Sequence, residues 1–211
     1  MPITSYLLTA LAAYLLGSFP TGFLVARAKG IDIRSVGSGN IGATNAMRVL
    51  GKPAGIAVLL ADALKGFSSV WLPVWLQTTL NISAADLEMH RITAGVSAVL
   101  GHNYTCWLKF KGGKGIATSA GVYLALAPLA VGIAVAVFAA ALLFARYVSI
   151  GSIAAAVALP TAVWFTRESL LLRMVTIALG ALAIYKHKSN IQRLRAGTES
   201  RIHFNKKETQ K

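Results

Sequence analysis

GHNYTCWLKFKGGKGIATSAG, residues 101–121, is a polar and basic run set between apolar stretches. It carries Lys109, Lys111 and Lys114 and four glycines from Gly101 to Gly115, with hydroxyl and amide side chains among them. Apolar sequence on both sides makes it an interruption between membrane helices rather than the loop of a soluble domain. A turn between spans needs far fewer donors, so the run reads as an anion-binding segment.

Working outward, the 211 residues are 55% hydrophobic and only 13% charged, with mean hydropathy +0.62. This excludes an ordinary soluble domain and predicts an all-α, polytopic integral membrane protein. The net charge of +14 would suggest nucleic acid on a soluble surface. Here the basic residues lie in short segments between apolar runs, which fits membrane orientation and gives no nucleic-acid partner. The single cysteine, Cys106, cannot form an internal disulfide. No charged segment precedes the first apolar run, so that run reads as a retained helix.

Spans of about 20 apolar residues fall at 3–25, 53–76, 92–108, 116–127, 129–147, 150–165 and 170–185, giving seven helices with a short fourth. One side receives Arg27, Lys29, Arg34, Arg48, Lys52, Lys109, Lys111, Lys114, Arg146 and the basic segment 186–211; the other receives Arg91, Arg167 and Arg173. The asymmetry puts the N-terminus outside and the C-terminus in the cytoplasm. A single domain, 1–211, is expected, with a flexible tail beyond about residue 203.

Three polar blocks share the cytoplasmic side. In the first, Gly37, Gly39 and Gly42 alternate with Ser38, Asn40, Thr44 and Asn45 and lead to Arg48. With helix from about Ala43 onward, an anion would meet glycine amides, a helix N-terminus and a guanidinium. The second is the opening run. Its FKGGKGIATS is not a P-loop, because no serine or threonine follows the lysine directly and no strand precedes it. Lys111, Gly112, Gly113, Lys114, Gly115 and Thr118 can still cradle a phosphate by the same physics. The third, YKHKSNIQRLRAGTES, offers basic residues to anionic lipid headgroups, while His187, Asn190 and Glu199 are candidates to complete a site.

Asp62 and Lys65, one turn apart inside the second span, predict an interior ion pair. His102 and Cys106 have the spacing of a base and a thiol nucleophile, but no residue that would orient the histidine is identifiable. The four histidines, His90, His102, His187 and His203, lack ligand spacing, so neither a metal nor a cofactor is expected.

GSGNIGATNAMR (37–48), GHNY with FKGGKGIATS, and HKSNIQRLRAGTE, together with GSFPTG (17–22) and ADALKG of the second span, resemble the bacterial membrane acyltransferases that move an acyl group from acyl-phosphate to glycerol 3-phosphate. The likeness spans nearly the whole chain. It implies a seven-helix, multi-pass enzyme of the inner membrane, functional as a monomer, that makes lysophosphatidic acid on the cytoplasmic face. Ser38, Arg48, Lys114 and the amides around Gly112 and Gly113 would hold phosphates, and His187 and Asn190 would contact glycerol phosphate. Asn40, Thr44, Lys111 and Glu199 would support them, with His102 and Asn103 of GHNY beside the substrates. Acyl-phosphate is already activated, so direct attack needs no covalent intermediate, and the chain shows no Ser-His-Asp arrangement. The donor's phosphate, His187 or His102 would take the proton. The competing class is a transporter or flippase of a phosphorylated metabolite, favoured only by Asp62 and Lys65.

Overall fold

The computed structural model describes residues 3–166 and 168–202; Arg167 and the tail beyond about residue 203 lie outside the described residues. In chain order the helices are α1 (Ile3–Ser18), α2 (Thr21–Arg27), α3 (Ala43–Leu50), α4 (Lys52–Trp75), α5 (Leu87–Asn103), a 3-10 turn (Cys106–Leu108), α6 (Ile116–Leu126), α7 (Pro128–Ala145), α8 (Val148–Phe165), α9 (Leu170–Lys186) and α10 (Lys188–Arg195). Among the described residues there is no strand. Four stretches are long and apolar enough to cross a membrane, namely Ile3–Arg27, Lys52–Trp75, Pro128–Ala145 and Val148–Phe165; α9 with α10, bent by 51°, makes a fifth if taken together. The chain divides into two compact units, residues 1–128 and 129–211.

In the first unit α1 lies along α5, and α4 packs on α3, α5 and α6. Small residues permit these approaches, as they do between helices in lipid. A Cβ at Gly17 would strike the backbone of Ala98, and one at Gly121 the backbone of Ala63. A hydrophobic cluster of Ala26, Ile33, Ile41, Ala46, Val58 and Leu108 is buried beneath the first polar block. The first span is interrupted between α1 and α2 at Phe19 and Pro20, where the proline has no N–H to continue the ladder.

Two bounds differ from the sequence reading. The helix expected over 92–108 starts at Leu87 and ends at Asn103, with Cys106–Leu108 in a separate turn. Its polar first turns are carried by tertiary partners. His90 stacks on Tyr6 at 3.8 Å between ring centroids and faces Ser5 Oγ at 3.1 Å. Arg91 donates to the Ala125 carbonyl at 2.8 Å and lies over Trp71. The fourth apolar helix, α6, is short as expected, at 11 residues.

In the second unit α8 packs on α9. The stretch after α10 returns to the turn between α7 and α8, where Ile202 N–H donates to the Arg146 carbonyl at 2.8 Å and Arg201 Nε donates to the Tyr147 hydroxyl at 2.8 Å.

Candidate functional site

The first block is organised by Asn45, which is 2% exposed. Its Nδ2 donates to the carbonyls of Ile33, Val36 and Asn40 at 3.2, 3.1 and 2.9 Å, and its Oδ1 accepts the Ser38 N–H at 2.8 Å. Asn40 Oδ1 in turn accepts the Gly42 N–H at 2.9 Å. Gly37, at φ +61°, supplies the left-handed backbone and leaves room for Asn45 Oδ1. This frame sets Ser38 half-buried and leaves Arg48 exposed in the last turn of α3. Thr44 is half-buried in the first turn of α3. Arg34 closes on Asp32 through Nε and Nη2 at 2.9 and 2.7 Å, and these hydrogen bonds hold the Asp32 carboxyl down to about 2.

The second block leaves the end of α5 and is pinned to α1. Tyr14 OH donates to the Tyr104 carbonyl at 2.6 Å, and Thr105 Oγ1 donates to the Ser18 carbonyl at 2.6 Å. Lys109 and Phe110 follow at φ +54° and +61°, two non-glycine residues in the left-handed region, a conformation that surrounding structure must enforce. The chain then doubles back on itself: Gly112 N–H donates to the Asn103 carbonyl at 3.2 Å and Gly113 N–H to the His102 carbonyl at 3.0 Å. Lys114 and Gly115 follow, and Gly115, at φ +80°, caps α6. Lys114 is half-buried and Lys111 exposed.

Beneath this loop lies a buried charged cluster. Lys65 Nζ is 2.8 Å and His102 Nδ1 3.7 Å from the same oxygen, Asp62 Oδ1. Lys65 also donates to the Phe19 carbonyl at 2.9 Å, at the break between α1 and α2.

In the second unit Glu199 accepts Asn190 Nδ2 on Oε1 and Arg193 Nε on Oε2, each at 2.7 Å. Burial pushes its carboxyl up, but the hydrogen bonds from Asn190 and Arg193 and the arginine's charge outweigh this and hold it below the usual glutamate range. His187 is buried, and its Nδ1 lies 2.8 Å from the Ala183 carbonyl. A carbonyl only accepts, so Nδ1 is the donor in this contact.

Residues 7–197 match the family described as Glycerol-3-phosphate acyltransferase. The chain belongs to this family. It is 46% identical over 198 residues to the glycerol-3-phosphate acyltransferase of Geotalea daltonii, covering 94% of this chain and 98% of the relative. It is 48% identical over 200 residues to that of Geobacter sulfurreducens, covering 95% and 98%. Among solved structures it resembles PlsY (YgiH), an integral membrane glycerol 3-phosphate acyltransferase. The glycerol 3-phosphate form superposes with TM-score 0.85 at 38% identity over 94% of this chain and 96% of that one. The lysophosphatidic acid form gives TM-score 0.82 at 37% identity, over 94% and 96%.

In this member of the glycerol-3-phosphate acyltransferase family, several of the expected site residues make contacts within the fold. The Gly112 and Gly113 amides, expected to hold phosphate, are consumed by backbone carbonyls. These glycines serve packing instead, because a Cβ at Gly112 would strike the His102 carbonyl and one at Gly113 the His102 ring. Asn45, expected to contact substrate, spends both ends of its amide on the loop around it. Thr118, expected beside a phosphate, is fully buried against Gly66 of α4. The residue missed from sequence is the partner of His102. Asp62 lies 40 positions earlier on another helix, and its spacing pointed only to Lys65.

Proposed function

We propose that the chain transfers a fatty acyl group from acyl-phosphate to glycerol 3-phosphate, yielding lysophosphatidic acid and phosphate. The observation that carries this reading is the family match over residues 7–197, which takes in the first two basic blocks and the third as far as Gly197. The glycerol hydroxyl oxygen attacks the acyl carbonyl carbon, the carbon–oxygen bond to phosphate breaks, and the leaving phosphate takes the hydroxyl proton. No enzyme nucleophile is required, because the donor is already activated. Ser38, Arg48 and Lys114 bind phosphate oxygens, with Lys114 stabilising charge that develops as the phosphate leaves. His187 and Asn190 contact glycerol phosphate. Asn40, Lys111 and Glu199 support these residues, and Asn40 and Glu199 do so through the bonds described above.

The same reading makes the chain one acyltransferase domain of seven spans in the bacterial inner membrane, monomeric, with its reacting groups toward the cytoplasm. Its support is the concentration of basic residues on one side of the sequence-derived spans. Transport has only Asp62 and Lys65 in its favour, and these are engaged with each other, with Phe19 and beside His102.

The test offers purified protein glycerol 3-phosphate with acyl-phosphate, and in parallel with acyl-coenzyme A. Lysophosphatidic acid from acyl-phosphate alone is the expected result. Product only from acyl-coenzyme A would replace the donor, and no product from either would overturn the reading.

A further inference from the structure

We propose that Asp62 is a positioning residue for Lys114, acting through His102 and Gly113. A carboxylate inside a membrane helix is costly to keep. A buried ion pair can often be exchanged for apolar side chains without loss of stability, so pairing with Lys65 gives Asp62 no sufficient reason to be there. The geometry supplies a second one. The oxygen that takes Lys65 also faces His102 Nδ1 at 3.7 Å. His102 is 5% exposed and is bound to the lysine loop twice over: its carbonyl accepts the Gly113 N–H at 3.0 Å, and its ring fills the space where a Gly113 side chain would stand. Lys114 is the next residue. Through Lys65 and the Phe19 carbonyl at 2.9 Å, the same carboxylate reaches the break between α1 and α2, so one buried charge holds that break and the lysine loop in register. The effect on turnover rests on the acyltransferase reading; the effect on loop order does not.

The experiment uses full-length protein in detergent and two variants. Asp62→Leu/Lys65→Met removes both charges and leaves neither uncompensated, and His102→Gln leaves the ion pair intact. Backbone amide exchange is followed in peptides covering 103–116, beside melting temperature and turnover. Both variants are expected to exchange the Gly112 and Gly113 amides at least about tenfold faster than the unaltered protein, through local opening of the loop. The double variant is expected to melt within about 5 °C of the unaltered protein while kcat/KM falls at least about tenfold. Unchanged exchange in both variants would overturn the proposal, as would faster exchange with full turnover. If the double variant does not fold, His102→Gln decides on the same readout. If the unaltered protein makes no product, the acyltransferase reading fails and exchange alone decides whether Asp62 orders the loop.

Discussion

Asn190 Nδ2 donates to Glu199 Oε1 at 2.7 Å across a nine-residue separation, and both side chains are buried. With Arg193 on the second oxygen, the carboxylate is held by two charge-assisted or amide donors and ties α10 to the stretch that follows it. Removing the carboxylate would take the Oε1 acceptor from the buried Asn190 amide and the Oε2 acceptor from Arg193. Glu199→Ala is therefore expected to destabilise the protein by about 1–3 kcal/mol, read as a lower melting temperature in detergent.

The same carboxylate predicts a pH dependence. Although burial raises its affinity for a proton, the hydrogen bonds win and its folded-state value lies below the ordinary one. Its stabilisation is therefore fully present above the unfolded value of about 4.3 and is lost as pH falls through the folded value. Melting temperatures from about pH 6 to pH 3 should fall more steeply for the unaltered protein than for Glu199→Gln.

Arg48 is exposed and Lys114 half-buried, and in the proposed reaction both act on phosphate. Lys114→Ala and Arg48→Ala should each lower turnover by about 10²–10³-fold with little change in melting temperature. Loss of fold in step with activity would assign them a structural role instead.

Asn45 separates structure from chemistry in the first block. Asn45→Ala removes one acceptor and the donors to three carbonyls and should cost about 2–4 kcal/mol. Ser38→Ala, whose backbone N–H still reaches Asn45, should lower activity while leaving the melting temperature unchanged. Thermal scans beside product assays distinguish the two.

Cys106 opens the 3-10 turn, whereas the His102 ring is engaged with Asp62 and Gly113. Cys106→Ala should retain activity within about twofold, as fits a small packing side chain. A loss of a hundredfold or more would support an acyl-cysteine intermediate.

The all-helical, membrane-embedded character of the chain was legible in the sequence because length and hydropathy decide it, whereas the break of the first expected helix into α1 and α2 was not. Nor was the start of α5. Glu88, His90 and Arg91 read as a polar connection, yet stacking on Tyr6 and bonding to the Ala125 carbonyl bring His90 and Arg91 into the helix. The glycines at 112 and 113 were legible as places of close approach, but what approaches them is the end of α5 rather than a ligand. Asp62 beside His102 was illegible for a similar reason: only the packing of α4 on α5 brings them together.

Asn45 has a calorimetric consequence. Because its amide already closes the segment from Ile33 to Asn40, a ligand arriving there meets a surface that is already ordered. Binding should then show a heat-capacity change set by the ligand's own buried area, without the large negative excess that accompanies coupled folding. Association should likewise be single-phase, with no slow ordering step after encounter.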